Sequence, residues 1–269
     1  MLIITHGVYM KFDEFVNSDD ALFHYTKTNV FFENILSEMK LRLSPLGFMN
    51  DPMEYKEPLF TYSEIGDALM NQQLENDAKK ALTSLKLEEC KIACFCVNRK
   101  NQTKGYLRSR MWSQYGDNHT GVCLVFSKET IQNQIDDNYK FKNVEYITEP
   151  FPLNDYNIEL GMVNYNGIDM YFNHFFEQQY KNIFFKKIDD YRDESEYRLL
   201  RRVKDTSIVY DYIDINSSLK GIIIGDRCHH VYNHIFDYVN TNKHLELLRC
   251  QFDQLTGVLN LEPYNSEGN

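Results

Sequence analysis

Glu194 and Glu196 stand two residues apart in DESEYR (193–198), entering a stretch that reads as a β-strand. On a strand, residues two apart share a face and lie about 7 Å from one another. Two carboxylates so placed repel unless solvent or a ligand intervenes. A carboxylate there suits the stabilisation of an oxocarbenium-like centre, or a grip on a sugar hydroxyl. His24, in ALFHYT (21–26), ends another predicted strand and points to the face opposite Tyr25. A single strand histidine is ordinarily a satisfied structural group, and it gains chemical meaning only where other polar groups converge on it. In FMNDPMEY (48–55), Asn50 or Asp51 before Pro52 is ordinary turn chemistry. A functional reading places Asp51 and Glu54 at a cleft rim.

The densest stretch is RMWSQYGDNHTGVCLVF (110–126). Leu107, Met111, Trp112 and Tyr115 have helical spacing, so Trp112 reads as core, while Tyr115 beside Gly116 can project into a cleft. Asp117, Asn118 and His119 read as a turn. A Cys123/His119 nucleophilic pair would span a turn into a strand, which is poor geometry for it. YRLLRRVK (197–204), with Arg198, Arg201, Arg202 and Lys204, reads as a strand with a solvated basic face, or else a place for an anionic ligand.

These residues need a scaffold. Strands are expected at 21–26, 41–44, 91–97, 121–126, 141–147, 195–203, 208–215, 219–225, 245–250 and 256–261. Helices are expected at 28–40, within 62–88, up to Gly116, after Ser127, at 168–187 and at 229–240. Thr28 or Asn29 is placed to cap the first. Strands and helices alternate irregularly, so the expected class is α+β, with a central mixed or antiparallel sheet and helices packed around it. One domain over 1–269 is expected, with its core at about 21–250. No G-x-G-x-x-G or G-x-x-x-x-G-K-[ST] run occurs, so a bound nucleotide would not use either of those cradles.

Composition narrows the partners. The formal charge of −10 argues against a broad nucleic-acid-binding face, because phosphate contacts demand clustered Lys and Arg. No apolar run approaches the roughly 20 residues of a membrane helix, and the N-terminus lacks the basic flank of a signal peptide. A cytoplasmic protein with no membrane partner is the expectation. The six cysteines (90, 94, 96, 123, 228 and 250) lack a second paired cluster for zinc, so they read as buried free thiols, and no metal is expected. With 19 Tyr and 18 Phe, the core is built from rings.

In order along the chain, LFHYT, FMNDPMEY, CFC, MWSQYGDNHTGVCLVF, VEY, ESEYRLL and LKGIIIG resemble a large bacterial family of unknown function over roughly 21 to 250. That family in turn distantly resembles ADP-ribosyltransferases of the His-Tyr-Glu kind. The resemblance implies a split sheet and NAD as substrate. It implies that His24 holds a ribose, Tyr115 (or Tyr55) stacks on nicotinamide, and Glu196 stabilises the ribosyl cation. Tyr25, Thr26 and Glu194 complete the implied NAD contacts, with Tyr25 where the superfamily has Gly. Asn50, Asp51, Glu54, Trp112 and Arg198 are further cleft candidates, and the acceptor stays open. Two other classes remain: a non-catalytic binding or sensor module, and a metal-dependent nuclease or hydrolase built from Asp51, Glu54, Asp117, Glu194 and Glu196. The last lacks a recognisable ligand spacing.

Overall fold

The computed structural model describes residues 2–5, 8–49, 51–62, 68–100, 103–148, 155–228, 232–242 and 244–263. Asn50 lies outside them. Ten strands form one mixed sheet: β1 (Ala21–Thr26), β2 (Lys40–Pro45), β3 (Cys90–Val97), β4 (Val122–Ser127), β5 (Tyr139–Asn143), β6 (Glu196–Arg202), β7 (Asp211–Asp214), β8 (Leu219–Ile224), β9 (Glu246–Phe252) and β10 (Leu259–Pro263). The order is β7-β2-β3-β1-β4-β8-β9-β10, with β6 on the other edge of β3 and β5 beyond β6. The pairings are antiparallel except β8 with β9, which are parallel.

Alternation along the strands divides the core. Leu22, Leu124, Phe126, Ile222 and Ile224 face one cluster, where Phe31 and Ile35 join them. Phe23, Tyr25, Cys123, Val125 and Ile223 face another, with Trp112 and Phe15. Helix Ile168–Phe184 buries Phe172, Phe175, Phe176, Ile183 and Phe184, and packs with helices Ala68–Ser84 and Leu160–Asn166 against Ile92 and Leu200.

One strand junction makes the site. β6 pairs with β3 along its whole length, from Glu196↔Cys96 to Arg202↔Cys90. The opposite edge of β3 is shared by two strands. β2 takes it at Ser44↔Ile92 and Pro45↔Lys91, and β1 takes it at Leu22↔Val97 and Phe23↔Cys96. Ala93, Cys94 and Phe95 pair with neither, so the sheet opens there.

Several boundaries differ from expectation. The helix expected over 28–40 ends at Leu36, its last six residues in π geometry, and no side chain caps it at Lys27. The helix expected over 168–187 stops at Phe184, and Lys186–Ile188 instead pairs with Glu145–Ile147. The N-terminal hairpin (Leu2–Thr5 with Val8–Lys11) carries no turn signal strong enough to read in advance.

The turn after Ser109–Gln114 holds Asp117, Asn118 and His119 with φ of 51°, 53° and 69°. Left-handed backbone costs an L-residue about 1–2 kcal/mol, least for Asn and Asp. Gly121 N–H closes the turn on the Gly116 carbonyl at 2.8 Å. Asn118→Val is therefore expected to lower stability by about 1–2 kcal/mol, and Asn118→Gly to be neutral or better. Urea melts of the two variants check this ordering, and a Val variant as stable as the Gly variant contradicts it.

Candidate functional site

The opening between β1 and β2 is the mouth of a cavity of about 620 Å³, within the range of ligand pockets. His24, Tyr25, Thr26, Asp51, Glu54, Cys94, Tyr115, Lys187, Tyr191, Glu194 and Glu196 line it. The register explains His24. It lies where β1 has left β3, and its Nδ1 meets the Cys94 carbonyl at 2.9 Å. A carbonyl only accepts, so Nδ1 carries the proton and Nε2 is left as an acceptor. Burial lowers the His24 pKa, with the Cys94 bond opposing, so the ring is neutral at pH 7. Phe95 holds its edge at 6.0 Å.

The two glutamates do not lie side by side on one strand. Glu194 ends the 3-10 turn Asp189–Glu194, Ser195 is left-handed at φ 43°, and β6 begins at Glu196. They meet instead at Lys187, whose Nζ lies 2.8 Å from Glu194 and 3.1 Å from Glu196. The expected repulsion is answered by a buried ammonium rather than by solvent. Arg198 completes the cluster. Its Nε and Nη2 donate to the two Glu196 oxygens at 2.6 and 3.0 Å, Nη2 also donates to Glu54, and Nη1 donates to the Phe184 carbonyl at 2.7 Å. Lys187 stands 3.8 Å from Glu54.

This corrects the reading of 197–204 as a strand with a solvated basic face. Arg198 is 1% exposed, because β6 lies between β3 and β5 with helix Ile168–Phe184 ending over it. Arg201 and Arg202 are half-buried and paired with Asp211 and Glu89.

The charges follow from these contacts. Burial would raise the Glu196 carboxyl, but Arg198 and Lys187 outweigh it and hold it at about 2. Burial wins at Glu54, whose pKa is raised despite the same two cations. Burial would lower Lys187, and Glu196, Glu54 and Glu194 together push it up instead. Three carboxylates against two cations leave the inner wall with negative charge in excess whenever all three are ionised. Burial drives the Cys94 thiol well above its usual range, which removes it as a nucleophile.

The remaining candidates divide. The Tyr115 hydroxyl donates to Glu194 at 3.3 Å. Asp51 caps the short helix Pro52–Tyr55 by accepting from Met53 N–H at 2.9 Å, which seats Glu54 in the cluster. Thr26 is buried at the end of β1. The Tyr25 ring turns away into the core, where it packs edge-on against Trp112 at 5.0 Å and donates to the Gly105 carbonyl. It therefore does not crowd the His24 face. Trp112 is fully buried behind that ring and is no part of the cavity wall. Tyr55 is 44% exposed and also lies outside the wall. His119 stacks on Trp112, and Cys123 is fully buried with its thiol pushed up by burial, so that pair supplies no nucleophile.

Lys187 and Tyr191 are among the wall residues not singled out from the sequence. Lys187 read as the polar end of a long helix; the short strand after Phe184 turns it inward. Tyr191, within an acidic run, sets its ring 4.9 Å from Lys187 Nζ. The six cysteines are free, and five are buried, with Cys94 half-buried.

Among the described residues no group of three or more His, Cys, Asp or Glu is arranged to hold a metal ion, and no helix is long and apolar enough to cross a membrane. No curated protein and no solved structure matches the chain. A family model described as a protein of unknown function (DUF2971) matches residues 111–199, narrower than the 21–250 of the sequence resemblance: it takes in Tyr115, Lys187, Glu194, Glu196 and Arg198 and stops short of His24 and Glu54.

Proposed function

We propose that the chain cleaves NAD at its nicotinamide bond and passes the ADP-ribosyl group to water or an acceptor, in the manner of ADP-ribosyltransferases. The observation that carries this reading is the convergence of His24, Tyr115, Glu194 and Glu196 on one cavity, at the point where the sheet divides. The His24 Nε2 lone pair accepts a ribose hydroxyl. Tyr115 and Tyr191 flank the planar leaving group. The C1′–N bond breaks with its electron pair leaving on nicotinamide, and the positive charge that develops on the ribosyl carbon is met by the negative excess of the inner wall. A hydroxyl then adds to that carbon and releases its proton to solvent.

NAD labelled in the nicotinamide ring tests this directly. Release above that of a heat-denatured control is expected; no release at millimolar NAD sinks the proposal. A neutral His24 and an ionised Glu196 also set the pH profile. The lowered His24 pKa keeps release level as pH falls from 8 past 6.5, and a loss centred at or above 6.5 contradicts His24's role.

A second reading has its own observation. Arg198 and Lys187 already bind both Glu196 oxygens, which suits a module that binds a ligand without turning it over. Binding of NAD with no nicotinamide release favours that reading.

A further inference from the structure

The outer end of the cavity has a chemistry of its own. Along β2, Leu41 and Leu43 take the core side, so Lys40, Arg42 and Ser44 share the opposite face. Arg42 Cζ lies 4.5 Å from the centroid of the Tyr210 ring, and the Phe48 ring stands 6.0 Å from Tyr210. Tyr212 in β7 is the cross-strand partner of Arg42. All four line the cavity, and Phe48 at 62% and Tyr212 at 47% exposure leave aromatic surface uncovered. Glu33 and Glu38 also reach the mouth, where Lys40 answers Glu38 at 3.7 Å. Arg42 has its ring contact and, among the described residues, no ion pair.

The two ends therefore differ in charge: Glu33 and Glu38 balance Lys40 and Arg42 at the outer end, whereas carboxylates outnumber cations at the inner one. At the inner end both cations are consumed by three carboxylates. At the outer end a guanidinium lays its face on a ring and keeps its hydrogen-bonding edge uncommitted. An anionic ligand entering this cavity is turned by that gradient, with phosphate outward and its uncharged or cationic part inward. A guanidinium edge matches phosphate oxygens in pairs, and neighbouring aromatic faces accept a base by stacking whatever its sequence identity.

We propose that Arg42, Tyr210 and Phe48 form a subsite for the purine-nucleotide part of the ligand, with phosphate on Arg42 and the base on the Phe48 and Tyr210 rings. The proposal rests on the reading of the cavity as an NAD site, and it gives that substrate an orientation.

Calorimetric titration of the full chain with ADP and with nicotinamide mononucleotide tests it. ADP is expected to bind, and Arg42→Ala and Tyr210→Ala each to weaken it about tenfold or more. Tyr210→Phe, which keeps the stacking face, is expected to bind ADP like the unchanged chain, and nicotinamide mononucleotide to lose less than ADP does in Tyr210→Ala. Thermal melts confirm that the variants are folded. No ADP binding, or undiminished binding in both alanine variants, overturns the subsite. The underlying reading fails separately: ADP binding through Arg42 without nicotinamide release keeps the subsite and removes the cleavage. Nicotinamide release whose KM for NAD is unmoved by Arg42→Ala keeps the cleavage and removes the subsite.

Discussion

Arg198→Met is expected to lower folding stability at pH 7 by about 3–5 kcal/mol, the usual cost of stripping one partner from a buried ion pair. Methionine fills much of the arginine's volume, so the loss reports charge rather than a void. Without the guanidinium, Glu196 and Glu54 are left to share Lys187, and the Phe184 carbonyl loses its donor. Adding Glu54→Gln and Glu196→Gln to the same chain removes the stranded charge, and recovery of part of the loss is the expected result.

The pH dependence gives the same cluster a second signature. Glu196 falls from 4.5 to about 2 in the folded chain, so its contribution is fully present above pH 4.5 and is lost as pH drops from there toward 2. In Arg198→Met the chief cause of the depression is gone. The gap between variant and unchanged chain should therefore hold from pH 7 to about 4.5 and narrow as pH falls from there toward 2 in urea titrations. A variant within about 1 kcal/mol of the unchanged chain at pH 7 would show that water or a rearranged Lys187 already compensates the carboxylates.

Much of the scaffold was legible because it is local. Alternation in ALFHYT, GVCLVF and LKGIIIG marks which side chains face each half of the core, and aromatic spacing from Ile168 marks the long helix. Ser127 caps the helix Lys128–Gln134 through Thr130 N–H, as its position before that helix suggests. The inner site was less legible, because its chemistry is a product of register. Glu54 meets Arg198 across 144 positions of chain, and no pattern within either segment announces the other. Lys187 was hidden because Phe184, Phe185 and the two lysines continue a helical pattern that the backbone abandons. Arg198 was named as a cleft candidate, but its burial was hidden because a basic run reads as solvated until strands are found on both of its edges. His24 was singled out for its type and strand, but its isolation from β3 depends on where β1 and β2 diverge, a property of three strands at once.

Glu196→Gln is expected to reduce nicotinamide release by about 10²- to 10³-fold, the scale of losing one preorganised electrostatic group in a water-poor site. Glutamine keeps the shape and can still accept from Arg198, so the change is chiefly one of charge. It also loosens the cluster, so activity has to be read at a temperature below the variant's own melt. Glu54→Gln supplies the contrast. It disturbs the same two cations, but burial raises the Glu54 carboxyl whereas Arg198 and Lys187 depress that of Glu196, so Glu54 holds its charge less firmly and its substitution alters the cavity less. A loss below tenfold is expected for Glu54→Gln, with a stability change of its own. If both variants lose activity in proportion to their loss of stability, the cluster acts only by holding β6 in place. If Glu196→Gln falls far more than its melt explains, the charge at position 196 is acting on the reacting ribose.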